Sequence, residues 1–117
     1  MANKFEIPEE VEMRIRHRDT SCVYCHKKMI YPCISGEERD WATIEHLREK
    51  KPFYWKDGLL EEWLAICCGS CNSSRGKKSL PDWFKSPYCT EKGISADSVA
   101  KPVRDYLRNL NTRGKRK

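Results

Sequence analysis

Residues 64 to 78 read Leu-Ala-Ile-Cys-Cys-Gly-Ser-Cys-Asn-Ser-Ser-Arg-Gly-Lys-Lys, an apolar run that passes through a Cys-x-x-Cys pair into a polar, basic segment. Cys68 and Cys71 have the spacing that lets two thiolates turn onto one metal ion, and Cys22 and Cys25 repeat it upstream. Two such knuckles complete a tetrahedral four-thiolate shell, the donor set of a structural zinc with no open position. Cys67 is an alternative ligand to Cys68, although only Cys68 keeps the two-residue gap to Cys71. His26, beside Cys25, is a substitute should one cysteine be unused, whereas Cys33 and Cys89 read as small buried apolar side chains.

The 42 residues between the knuckles exceed the roughly 12 to 20 of simple zinc ribbons and fingers, so a metal would close a large loop. Within it, Trp41 to Leu47 (WATIEHL) carries strand formers, with Glu45 and His46 near the strand's end. Arg48 to Gly58 (REKKPFYWKDG) reads as an irregular loop. Leu59 to Cys67 (LLEEWLAIC) is either one helical turn followed by a strand or a strand throughout. Asn72, Ser73 and Ser74 can bond the free amides of a helix start, and Gly76 limits the length of that helix. The metal would thus pin a β-hairpin against the following helix and supply much of the folding free energy.

Outside the loop, Pro8 to His17 reads as a short helix with Pro8 in its first turn, Val11 and Ile15 on one face, and Arg14, Arg16 and nearby Arg18 on the other. Trp83 and Phe84 are placed to cap the core. Val99, Val103, Tyr106, Leu107 and Leu110 keep helical spacing. That carboxyl helix starts near Lys101 with Pro102 in its first turn, or a shorter helix from Ser95 ends there and a second follows. Residues 1–112 therefore read as one α+β domain with its core at 20–80 and flanking amino- and carboxyl-terminal helices, and residues 113–117 as a flexible basic tail.

A chain of 117 residues with 34% charged side chains has a thin apolar core, which is why an extra staple is expected. No apolar run approaches the roughly 18 residues that span a membrane, and unpaired thiols at metal-ligand spacing without a leader point to a reducing, cytoplasmic setting. The excess of 23 basic over 17 acidic residues, with a pI near 9.0, favours a polyanion such as nucleic acid as partner. Monomer and weak dimer both fit the composition.

Taken together, Cys22-Val23-Tyr24-Cys25, Ile44-Glu45-His46-Leu47 and Cys68-Gly69-Ser70-Cys71-Asn72-Ser73-Ser74-Arg75-Gly76-Lys77 resemble the zinc-stabilised HNH endonucleases, in that family's order and near its spacing. The resemblance spans residues 22 to 78 and implies a ββα-metal core that hydrolyses DNA phosphodiester bonds. On the matching positions His46 is the general base, since an imidazole of unperturbed pKa about 6.5 can take a proton from water at physiological pH. Glu45 and Asn72 are the implied oxygen ligands of magnesium or manganese, which would stabilise the leaving 3′ oxygen.

Arg75, Lys77 and Lys78 follow as candidate phosphate contacts, with Arg75 also steadying the scissile group. Lys50 and Lys51, interleaved with Phe53, Tyr54 and Trp55, are further candidates for binding nucleic acid. Glu45 stands where the family often has Asp. Trp63 stands where the family has its middle Asn, thought to help fix the base loop, so either another group orients His46 or activity is reduced or lost. Neighbours in a regular strand face opposite sides, so Glu45 and His46 reach one site only at a bulge or a strand end. A noncatalytic zinc-stabilised nucleic-acid-binding module is the alternative, keeping the cysteines and basic residues without a use for Glu45, His46 and Asn72. A zinc domain that binds other proteins is a further rival.

Overall fold

A computed structural model describes residues 5–34, 36–48, 54–58 and 60–115, with the side chains of residues 57 and 110–115 outside that description. Strands β1 (Ala42–His46) and β2 (Leu64–Cys68) pair antiparallel in an unbroken register, from Ala42 opposite Cys68 to His46 opposite Leu64. Of the two readings of residues 59–67, the turn followed by a strand is correct: Glu61–Trp63 is a 3₁₀ turn and β2 begins at Leu64. Every residue of β2 is buried, because both faces of this two-stranded sheet are covered. That accounts for a run without polar alternation.

The twofold alternation of side chains splits the core into two layers. On one face Ala42, Leu64 and Ile66 pack with Ile7, and with Val11 and Ile15 of helix α1 (Glu9–Arg18). On the other, Ala65 and Cys67 pack with Tyr24, Leu47, Leu80, Trp83 and Val103. The sheet's outer edges are also occupied. Ile66 N–H donates to Asp19 Oδ2 at 3.0 Å, and Val23 N–H donates to Ile66 O at 3.2 Å. Ala42 N–H donates to Ile30 O at 2.9 Å on the far side. These contacts shield part of each outer edge from pairing with another chain.

Helix α1 begins one residue later than its sequence pattern indicates, with Pro8 as its cap rather than in its first turn. Its arginines are taken up within the fold. Arg14 pairs with Glu61 at 2.8 Å, Arg16 donates to Ala42 O at 2.8 Å, and Arg18 bonds both Asp19 and Leu64 O at 2.8 Å. Helix α2 (Gly69–Arg75) follows β2 without a linker, and Cys68 Sγ accepts the N–H of Cys71 at 3.4 Å. Asn72, Ser73 and Ser74 therefore lie inside the helix instead of capping it. A sulfur destined for the knuckle performs that role.

Two short helices were not legible in the sequence reading. Helices α3 (Leu80–Phe84) and α4 (Pro87–Lys92) are capped by Ser79 and Ser86, each with Pro in the first turn. Trp83 is fully buried and donates its indole N–H to Ser74 Oγ at 2.9 Å, while Phe84 is half-buried against it. Helix α5 (Lys101–Lys115) starts where Pro102 fits the first turn, and its backbone continues to 115, through most of the segment expected as a tail. Ala100 N–H donates to Val23 O at 2.8 Å, which ties the start of α5 to the first knuckle. Among the described residues no helix is long and apolar enough to cross a membrane.

Gly69 marks the tightest contact at the β2–α2 junction: a Cβ there would lie 2.0 Å from Glu38 O in the 3₁₀ turn Glu38–Asp40. That partner is backbone and cannot rotate away. Gly69→Ala is expected to destabilise the fold by about 1–3 kcal/mol or more. An unchanged midpoint in denaturant titration would contradict this close approach.

Candidate metal centre and active site

Cys22 and Cys25 sit on a turn closed by His26 N–H to Cys22 O and by Cys22 N–H to Lys27 O, both 2.9 Å. Cys68 and Cys71 span the last residue of β2 and the first turn of α2. All four Sγ atoms lie within 4.8 Å of one another, and Cys25 and Cys68 are 3.9 Å apart. Zinc–sulfur bonds of about 2.3 Å in a tetrahedron place sulfurs about 3.8 Å apart, so the four cysteines could hold a metal ion such as zinc.

Cys67 and His26 stand apart from the four clustered thiols. Cys67 is fully buried outside the cluster, 3.8 Å from Thr43 Oγ1, and His26 Nε2 lies 2.6 Å from Ser98 O. Neither belongs to the four. Cys89 is buried and Cys33 half-buried, with Cys33 Sγ 3.4 Å from Ala42 O.

The thiols compete for charge. Hydrogen bonds from Cys68 and Cys71 hold the Cys22 thiol strongly toward thiolate, while the bond to Cys22 pushes Cys68 up to about 11 and raises Cys71 further. A divalent ion resolves this conflict because it binds every sulfur as thiolate.

Beyond the cluster, Glu45 and Arg75 face each other across the interior, only 5% and 2% exposed. Arg75 Nη1 donates to Glu45 Oε2 at 2.8 Å, and Tyr24 Oη donates to the same oxygen at 2.5 Å. Burial pushes the Glu45 carboxyl up against the opposing pull of Arg75, and burial followed by the charge of Glu45 pushes the Tyr24 phenol up. Arg75 also donates to His46 O at 3.0 Å, Leu47 O at 3.1 Å and Lys78 O at 2.9 Å. Its guanidinium is therefore turned inward. It is not presented to a phosphate, in contrast to its expected role.

His46 ends β1 on the opposite face from Glu45, as regular alternation requires, and its half-buried ring meets the edge of Phe5 with centroids 4.3 Å apart. Asn72 donates its amide N–H to Thr43 Oγ1 at 3.0 Å and lines an open groove of about 630 Å³ with Arg39, Trp41, Ser70 and Ser73. Glu45 and His46 lie at the end of the hairpin where β1 meets Ala65 and Leu64, whereas Asn72 bonds Thr43 near the opposite, Cys68 end, so the three do not converge. The residues present do not fit a joint cradle for a divalent cation, since Glu45 is buried with Oε2 held by Arg75 and Tyr24, while Asn72 lies beside Thr43 in a groove that Glu45 does not line.

Lys77 and Lys78 are exposed, with Lys78 Nζ 3.4 Å from Ser74 O, while Lys50, Lys51 and Phe53 lie outside the described residues. Trp63 holds the chain after His46 by other means than an Asn side chain: its carbonyl accepts the Leu47 N–H at 2.8 Å, and Arg48 lies over its ring at 4.5 Å. Sequence reasoning missed Tyr24 as a partner of Glu45, and its place inside a Cys-x-x-Cys motif carries no signal of that contact.

No family model matches the chain, and neither a curated protein nor a solved structure matches it among those compared.

Two outcomes follow from this geometry. Cys25→Ser, or removal of bound metal by a chelator, is expected to unfold the domain, read as loss of the cooperative circular-dichroism transition. Arg75→Ala would leave the Glu45 charge buried and unpaired, lowering stability by about 3–5 kcal/mol in denaturant titration. A cost below about 1 kcal/mol would mean that the pair is solvated.

Proposed function

We propose that the chain is an HNH-type endonuclease that hydrolyses DNA phosphodiester bonds, with a structural zinc at Cys22, Cys25, Cys68 and Cys71 stapling a ββα core. One observation carries this reading: the hairpin runs directly into α2, and the single four-thiol cluster found among the described residues clasps that junction to the first knuckle. His46 then closes β1 and Asn72 lies in the first turns of α2, the order in which the resembling motifs occur. The seven cysteines are all free thiols, which suits zinc ligation in a reducing cytoplasm.

In this reading the neutral His46 imidazole accepts a proton from water as the oxygen attacks phosphorus, and the bond to the 3′ oxygen breaks. Lys77 and Lys78, exposed beyond α2, contact phosphates on a chain of net charge +6. Glu45 and Asn72 do not meet as ligands of magnesium or manganese in the present arrangement, so proton transfer at His46 is the step that this chain's own side chains define.

The second reading, a noncatalytic zinc-stabilised module that binds nucleic acid, is favoured by the sealed contacts of Glu45 with Arg75 and Tyr24. Cleavage of supercoiled and linear DNA by wild type and His46→Ala, with magnesium, manganese or chelator and with zinc content verified, separates the two. Metal-dependent cutting by wild type alone is expected. Salt-dependent binding without cutting by either protein would establish the second reading, and equal cutting by both would remove His46 as the base.

A further inference from the structure

Arg75 sits in the last turn of α2, and its guanidinium reaches the last two residues of β1 and the one that follows: the carboxylate of Glu45 and the carbonyls of His46 and Leu47. In an extended strand, successive carbonyls point in opposite directions. Here two of them, His46 O and Leu47 O, accept from one planar group at 3.0 and 3.1 Å, so the backbone turns out of the strand immediately after His46. The other side of this turn is held by Leu47 N–H donating to Trp63 O at 2.8 Å. The exit of α2 is drawn to the same guanidinium through Lys78 O at 2.9 Å.

We propose that Arg75 is the positioning residue of the His46 site, a buried clamp whose counter-ion is Glu45 and which sets the backbone from which the imidazole projects. The inference rests on the reading of His46 as general base and names the group that orients it in place of the missing Asn. A planar fork is required, because the acceptors are reached from three different nitrogens, Lys78 O from Nε, Glu45 and His46 O from Nη1 and Leu47 O from Nη2, whereas the three donors of a lysine share one nitrogen. Lysine keeps the charge beside Glu45 but offers a single point of attachment. Tyr24 is an accessory to the clamp, since its hydroxyl holds the Glu45 oxygen that Arg75 also binds.

The test compares wild type with Arg75→Lys as the zinc-loaded full chain, after zinc content and a cooperative thermal transition have been confirmed. The His46 imidazole is titrated by NMR, binding to a short DNA duplex is measured at several salt concentrations, and cleavage is resolved into kcat and KM. Arg75→Lys should shift the His46 titration midpoint and lower kcat by about tenfold to a hundredfold. KM, duplex affinity and the salt slope should stay unchanged. A salt slope reduced by about one, with weaker duplex binding, would show instead that Arg75 contacts a phosphate. An unmoved titration and kcat would equally overturn the proposal.

The titration reads the clamp whether or not the protein cuts DNA, so failure of the nuclease reading remains distinguishable from failure of this inference. Should Arg75→Lys lose zinc, the wild-type protein supplies the answer. The Arg75 Nε–H should exchange slowly with solvent and keep its chemical shift when the duplex is added. Rapid exchange, or a large shift on adding duplex, would overturn the clamp.

Discussion

Four sulfur atoms lie within 4.8 Å of one another and could hold one metal ion, which would tie the first knuckle to the junction of β2 and α2. A third of the side chains are charged, and the apolar residues divide into two small clusters on either face of a two-stranded sheet. A hairpin of this size is marginal by itself in water. Joining residues 22–25 to residues 68–71 closes the loop that contains the hairpin and places Val23 where it bonds Ile66 on one side and Ala100 on the other. The amino-terminal knuckle thereby becomes the hub between β2 and the start of α5.

The same short helix that carries Cys71 carries Arg75 one turn later, and the i,i+4 spacing puts both on its buried face. The thiol clasp and the arginine clamp are therefore consecutive features of α2, one gripping the knuckle and the other the end of β1. A charge pair in this interior is strong because water does not screen it, and costly to form because both ions lose hydration. Arg75 offsets that cost by hydrogen bonds to three carbonyl groups and the carboxylate. The price of such a commitment is functional: a carboxylate bound to a guanidinium and a phenol has little capacity left for a metal ion.

Much of the frame was legible residue by residue. The Cys-x-x-Cys spacing named the four clustered thiols and correctly preferred Cys68 to Cys67. The β-forming run at 41–47 located β1 to within one residue at each end, and Pro102 marked the start of α5. Helices α3 and α4 escaped notice because each is barely one turn and a half, too short for a hydrophobic period, although the Ser caps with following Pro were present at Ser79 and Ser86. Asn72 to Ser74 were assigned to a helix start because their side chains suit caps, but the sulfur of Cys68 reached the free amide first.

The sequence by itself determined what depends on neighbours in the chain: which thiols can turn onto one ion, where β1 and α5 lie, and that Glu45 and His46 face opposite sides unless the strand breaks between them. The tertiary structure alone decided the partners of the long charged side chains. Arg75 reads as a phosphate contact beside Lys77 and Lys78, yet it reaches back 30 residues to Glu45, and the arginines of α1 are absorbed by Glu61, Ala42 and Asp19. Local spacing restricts backbone dihedrals and nearby ligands. A flexible cation takes whichever acceptors the packed core leaves unsatisfied, and those acceptors are brought to it only when distant segments meet.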